Sequence, residues 1–157
     1  MFMHFKKKLG SFILNVPGRH NIQNALAAIT MAIELDIPFK KIREGISSYT
    51  GVRRRFEIKY KTLNDILIID DYAHHPTEVT ATLQAAKSGW DRRIISIFQP
   101  HLFSRTRDFY QEFAKAFLQT DILIITNIFP GREKPIKGIN SQLIINAMGK
   151  LGFKQIY

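Results

Sequence analysis

The chain has 157 residues, 45% of them hydrophobic and 12 of them Phe, which is room for one ordinary domain with a real core, or one domain plus part of another, and too apolar for disorder. It has no cysteine, which excludes disulfides, thiolate zinc sites and thiol nucleophiles and fits a reducing compartment. The net charge is +10, and residues 1–60 supply most of it with 11 Lys/Arg against 4 Asp/Glu, an excess that attracts nucleic acids, acidic membranes and phosphorylated small molecules alike.

The elements are predicted in chain order as follows. The opening MFMHFKKKLGSFILNVPG is too short in its apolar part for a secretory leader, and no run approaches the roughly 18 residues that span a bilayer, so a cytoplasmic, soluble protein is expected. Residues 11–16 (SFILNV) read as a short strand ended by Pro17-Gly18. Asn21 can cap a helix running to about Leu35, with Ile22, Ala25, Leu26, Ile29 and Ile33 along one face. Pro38 opens a second helix with Ile42, Ile46 and Tyr49 inward. A break follows at Gly51, then Arg53-Arg54-Arg55.

From there the pattern changes. Residues 56–60 alternate as a half-buried strand, and 66–69 (ILII) form a continuous apolar run, as in a buried parallel strand. Helices are expected over 76–87, 106–118 and 141–151, with Phe109, Phe113, Ala116 and Phe117 as the stripe of the second. Further buried strands are expected at 94–98 and 122–125, and the beginning of one more at 153–157. This alternation predicts an α/β fold with a doubly wound, mostly parallel sheet over residues 51–157. Residues 1–50 read as the tail of another unit. The last strand lacks what should follow it, so a piece of a longer protein is expected.

In open parallel sheets, ligands sit beyond the carboxyl ends of the strands. The densest titratable clusters follow three successive predicted strands: Asp70-Asp71-Tyr72-Ala73-His74-His75, then Gln99-Pro100-His101 through Arg107, then Asn127 through Pro135. They are expected to converge on one edge. Asp71 or His75 can equally cap the helix at Pro76, and Asp70 can be a turn residue. The adjacent His74 and His75 are poorly spaced for a transition metal, whereas a Mg2+ ion held partly by substrate phosphates needs few protein ligands. Arg53-Arg54-Arg55 is either a solvated face or carries one arginine to a phosphate, for which the guanidinium fork is suited. Arg105 and Arg107 flank a helix start, an end that favours anions. Asn21 and Asn24 either cap a helix or read a purine edge. The chain has no G-x-x-x-x-G-K-[ST] loop, no G-x-G-x-x-G and no G-x-S-x-G elbow, and so no obvious means of cradling a triphosphate by itself.

VPGRHNIQNALAA (16–28), GVRRRFE (51–57), DDYAHHPTE (70–78), FQPHLFSRT (98–106) and FPGREKPIKG (129–138) resemble, in order and spacing, the motifs of the Mur ligases. The resemblance implies a three-domain, ATP-dependent enzyme of peptidoglycan precursor synthesis. Residues 1–50 would then be the helical end of the central ATPase domain. Residues 51–157 would be most of a Rossmann-like last domain that brings the amino acid, stopping short of its final strands. DDYAHHP followed by FQPH resembles the branch that joins L-alanine to UDP-N-acetylmuramate through an acyl phosphate, with ATP and Mg2+. The resemblance implies that His20, Asn21 and Asn24 lie on the adenine side, that Arg55 reaches the γ-phosphate, and that Asp71 lies near the ribose and phosphates. Tyr72, His74 and Arg105 would form the alanine and acyl-phosphate pocket, His74 aiding amine deprotonation. No dedicated protein metal site, nucleic acid or membrane is implied, and the oligomeric state is left open. Many family members have Arg where this chain has Leu102, and alanine where it has Gly131. This part of the chain alone is expected to be inactive.

Two other function classes fit the composition. One is a phospho-ligand or nucleic-acid binding module using the basic N-terminal part. The other is a metal-dependent hydrolase using Asp70, Asp71, His74, His75 and His101.

Overall fold

The computed structural model describes residues 2–4, 7–61 and 65–157. The chain divides into two compact units, Met1–Asp71 and Tyr72–Tyr157.

In the first unit, β1 (Phe2–His4) and β2 (Lys7–Gly10) pair antiparallel. The strand expected over 11–16 is absent: those residues form no ladder, and Asn15 instead donates its side-chain amide to the Ser47 carbonyl at 2.6 Å. An apolar run becomes a strand only where another segment takes its backbone groups, and here the pairing lies one segment earlier. Helix α1 (Arg19–Glu34) starts two residues before Asn21. Asn21 therefore does not cap it; its amide donates back to the Pro17 carbonyl at 2.6 Å. Helix α2 (Phe39–Ser48) begins just after Pro38. Ala25, Ile29 and Ile42 are buried in this pair, while Ile22, Leu26 and Tyr49, expected inward, are exposed. The contact surface between α1 and α2 is narrower than the apolar stripe that sequence periodicity marks.

The strand at 66–69 is also corrected. β3 (Glu57–Lys61) and β4 (Leu67–Asp70) form an antiparallel ribbon, with Glu57 opposite Asp70 and Ile58 opposite Ile69. The short connection between Lys61 and Leu67 permits only this, since parallel pairing needs a crossover of roughly a dozen residues or more. Ile68 and Ile58 are exposed, not buried.

The second unit carries the parallel sheet. Its elements are α3 (Pro76–Gly89), β5 (Ile95–Phe98), α4 (Phe103–Ala116) with a 3-10 turn at Phe117–Gln119, β6 (Ile122–Ile125) and α5 (Gln142–Lys150). β5 and β6 pair parallel, Ile95 with Ile122 through Phe98 with Ile125. The expected last strand is reduced to a single parallel bridge from Ile156 to β6, in which Leu123 N–H donates to the Gln155 carbonyl (2.9 Å) and Tyr157 N–H to the Leu123 carbonyl (2.9 Å). Val79 and Leu83 of α3, Phe98, Phe113 and Ala116 of α4, Phe117, Leu123, and Ile144 and Met148 of α5 make one core. The helical residues recur at three- and four-residue steps, as one buried face requires. Phe98 packs its ring 5.2 Å from Phe113 and 4.9 Å from Phe117. The opposite phase of the sheet is open: Ile97 is 75% exposed and Ile95 55%. All three helices contribute to the core on the Phe98–Leu123 face, so an apolar run that reads as doubly covered is covered on one side among the described residues.

His75 caps α3. Its Nδ1 accepts from Thr77 N–H at 3.4 Å, and Glu78 accepts from the His75 N–H at 3.1 Å, a reciprocal capping box. The ring also meets Phe109 edge-on at 5.0 Å. His75→Ala is expected to lower stability by about 1 kcal/mol, the usual worth of an N-cap, readable as a lower urea midpoint at unchanged slope.

Candidate functional site

Beyond β5 and β6 the two chains stay zipped. Phe129 N–H donates to the Pro100 carbonyl (2.8 Å), Leu102 N–H to the Phe129 carbonyl (2.9 Å), and His101 bridges Phe129 in parallel. This carries His101 and the 127–133 loop out to the carboxyl edge of the sheet, where α4 begins. His74, from the segment before α3, arrives at the same edge, its ring 6.1 Å from that of His101 and 5.1 Å from Tyr72. Segments that follow separate predicted elements therefore do meet.

The two imidazoles have opposite polarity. Nδ1 of His74 lies 2.9 Å from the Tyr72 carbonyl and 3.4 Å from a Glu78 carboxylate oxygen. Two acceptors there put the proton on Nδ1, leaving Nε2 as the basic atom. Arg105 Nη1 donates to Nδ1 of His101 at 3.3 Å and to the His101 carbonyl at 3.4 Å. An arginine never accepts, so Nδ1 of His101 carries the lone pair and Nε2 carries the proton. One ring offers a base and the other a donor. Phe129 stacks on the donor ring at 5.5 Å.

Burial, then the Arg105 guanidinium and then His74 hold the His101 pKa below its ordinary 6.5, against a smaller opposing pull from Glu133. A histidine whose pKa is depressed on folding stabilises the fold above its unfolded pKa and loses that contribution as pH falls through the folded value. The unfolding midpoint of the chain is therefore expected to fall as pH drops below about 6.5, and His101→Gln is expected to flatten that slope. Thermal melts at stepped pH read both; parallel slopes would refute the assignment.

The start of α4 is already satisfied. Leu102, before its first turn, offers no side-chain cap. Glu133 supplies one from across the loop: its carboxylate accepts from Ser104 N–H (3.0 Å) and from the Ser104 hydroxyl in a very short bond. Bonds from the Ser104 side chain, then the Ser104 and Phe103 backbone, and the nearby Arg105 hold its pKa below the ordinary carboxylate value. The anion at this helix end is thus the chain's own glutamate. Arg107 points away into an exposed pair with Asp108 at 2.7 Å.

The remaining predicted residues lie in the first unit. His20, Asn21 and Asn24 share the N-terminal end of α1, with Asn24 exposed. Arg55 is exposed on a tight turn, its N–H on the Val52 carbonyl at 3.1 Å. Next to it Phe56 is buried at φ 50°, and the Asp71 carboxylate accepts its N–H at 3.0 Å. Asp71 thus fixes the turn that presents Arg55, rather than capping α3. Arg54 lies 3.7 Å from Asp70. Among the described residues, no group of three or more His, Asp or Glu comes together that could hold a metal ion, and no helix is long and apolar enough to cross a membrane.

Sequence reasoning gave His101 only a metal-ligand alternative and gave Glu133 no role. The signal for both was their place after β5 and β6; what each bonds to depended on the zipped loops.

Comparison with known proteins follows the same line. The family model described as "Mur ligase, glutamate ligase domain" matches residues 54–157. The UDP-N-acetylmuramate–L-alanine ligase of Geotalea daltonii is 47% identical over 98% of this chain and 33% of its own length. That of Salinibacter ruber is 45% identical over 96% of this chain and 32% of its own. The chain thus spans about a third of the length of the curated relatives it matches. Among solved structures, the UDP-N-acetylmuramate–alanine ligase of Thermotoga maritima superimposes with a TM-score of 0.77 at 33% identity, over 93% of this chain and 30% of that one. The folylpolyglutamate synthase of the same organism, at 23% identity and a TM-score of 0.65, shares the fold, over 97% of this chain and 34% of that one. With the family model spanning most of the chain and the Rossmann-like sheet edge carrying the expected motifs, the chain belongs to the Mur ligase family.

Proposed function

We propose that this chain is the amino-acid side of an ATP-dependent ligase that joins L-alanine to UDP-N-acetylmuramate in cytoplasmic peptidoglycan precursor synthesis, and so serves cell-wall growth, shape and division. Residues 1–50 are the end of the ATP-binding domain and 51–157 the amino-acid domain, and the chain alone has no ligase activity. The observation that carries the reading is the base–donor imidazole pair, His74 and His101, held beside Arg105 at the carboxyl edge of a parallel sheet.

In this reading ATP phosphorylates the lactyl carboxylate, leaving ADP; the alanine amine attacks the acyl-phosphate carbonyl, and the tetrahedral oxyanion collapses to the amide as the C–O bond to inorganic phosphate breaks. Nε2 of His74 takes the amine proton, while Arg105 and Nε2–H of His101 face the anionic charge that builds at the carbonyl. Tyr72, its ring tilted against that of His74, lines the alanine pocket. Arg55 reaches the γ-phosphate from the turn that Asp71 fixes, and Asp71 lies near the ribose and phosphates. His20, Asn21 and Asn24 border the adenine. In this reading Mg2+ is held largely by the nucleotide phosphates, as a hard cation that keeps several waters and takes few protein ligands would be. Neither a nucleic acid nor a membrane has a part in this reading.

A chimera tests it. Residues 1–157 replace the matching third of the Geotalea daltonii ligase, and ADP release is followed with each substrate omitted in turn. Release that requires both L-alanine and UDP-N-acetylmuramate supports the reading. A folded chimera that binds ATP but shows no alanine-dependent release overturns it.

A further inference from the structure

Leu102 adopts φ 74°, ψ 135°, a left-handed conformation that a leucine rarely takes. Its backbone is held there from both sides. The N–H donates to the Phe129 carbonyl at 2.9 Å, and the carbonyl accepts from Thr106 N–H at 3.1 Å and from the Thr106 hydroxyl at 2.9 Å. The side chain then lies against Gly131, itself at φ 60°. A Cβ built on Gly131 would stand 2.9 Å from Cδ2 of Leu102, 3.5 Å from Nε2 of His101 and 3.8 Å from its Cε1. Carbon atoms do not approach to 2.9 Å without displacement. The space a side chain at 131 would need is therefore occupied by the Leu102 methyl, beside the His101 atom that carries the proton. Backbone strain of this kind persists only where the surroundings over-determine it, and it gathers at functional sites.

We propose that Leu102 is a positioning residue for His101, acting as one half of a steric pair with Gly131. The end of the leucine side chain packs over the bare glycine, a methyl at 131 would have to turn that end aside, and the fit holds the 129–131 loop against the His101 ring. That keeps Phe129 stacked on the ring and Nε2–H at the sheet edge. Arg105, His74 and Glu133 are the charged and titratable groups around the ring. The job given to His101 rests on the ligase reading above; the steric coupling does not.

The test is a double-mutant cycle on the 157-residue chain, with Gly131→Ala, Leu102→Ala and both together. Thermal melts report stability, and histidine NMR reports the His101 titration, its signal identified by its loss in His101→Gln. Gly131→Ala is expected to lower the midpoint by several degrees and to raise the His101 titration toward the ordinary imidazole value. In the Leu102→Ala background the strain of a non-glycine residue at φ 60° remains, so part of the midpoint loss is expected to persist, while the effect on the His101 titration is expected to fall to less than half. Equal effects in both backgrounds overturn the proposal. Should Gly131→Ala fail to fold, Leu102→Ala alone carries the test: it is expected to raise the His101 titration by freeing the loop from the ring, and an unchanged titration overturns the proposal. A coupled cycle with an inactive chimera leaves the pair standing and removes the ligase reading, and an additive cycle with an active chimera does the reverse.

Discussion

His74→Asn, placed in a ligase of the relatives' full length, lowers kcat by roughly 10²- to 10⁴-fold, the usual worth of a positioned general base. Asn keeps an amide donor toward the Tyr72 carbonyl, which now accepts from Nδ1 at 2.9 Å, so the local fold is retained. It supplies no basic atom in place of Nε2. KM for UDP-N-acetylmuramate is expected to stay close to the parent value, because the proposed function gives His74 a part in amine transfer and none in binding the sugar nucleotide. The split between kcat and KM is the diagnostic. Acyl-phosphate formation, trapped in single-turnover experiments, should persist while transfer to alanine stalls. A kcat within twofold of the parent would remove His74 from the chemistry.

Arg105→Ala is expected to cost about 10²- to 10³-fold in kcat/KM for L-alanine, on the scale of losing one preorganised donor at a developing oxyanion. Arg105→Lys should recover only part of this. A lysine ammonium keeps the charge but not the fixed planar guanidinium, whose Nη1 alone reaches both Nδ1 and the carbonyl of His101 while its other nitrogens stay available to substrate. The same variants carry an independent readout. Arg105 is among the groups that depress the His101 pKa, so Arg105→Ala should raise the His101 titration and Arg105→Lys should raise it less. If activity falls while His101 titrates unchanged, the arginine acts on substrate alone and does not orient the ring.

Much of the second unit was legible beforehand. The stripe through Phe109, Phe113 and Phe117 names the buried face of α4 correctly, because a long amphipathic helix has a single solution for its apolar side. The clustering of polar residues after β5 and β6 located the edge where His101 and Arg105 meet. Shorter elements were less legible. The runs at 11–16 and 66–69 look as strand-like as 122–125 does. Whether such a run pairs, and in which direction, depends on what lies beside it, which sequence does not state. For the same reason Ile22 and Leu26 of α1 read as core and are exposed, while Glu133, which the sequence placed only within the polar cluster over 127–135, caps a helix.

The sequence by itself determined the residue types, their order along the chain and the alternation of elements: an α/β unit, cysteine-free, with histidines and arginines after its strands. Local periodicity and motif spacing are one-dimensional properties, and they are complete without partners. Only the tertiary structure decided which imidazole nitrogen carries the proton, that Asp71 secures the Arg55 turn, and that Leu102 shares its space with Gly131. The Phe56–Asp71 bond at 3.0 Å and the packing of Leu102 over Gly131 join residues far apart in the chain, whereas the imidazole bonds to Tyr72 (2.9 Å) and Arg105 (3.3 Å) are local; in all of them the donor, the acceptor or the steric fit is set by geometry at hydrogen-bond range, which residue spacing does not state.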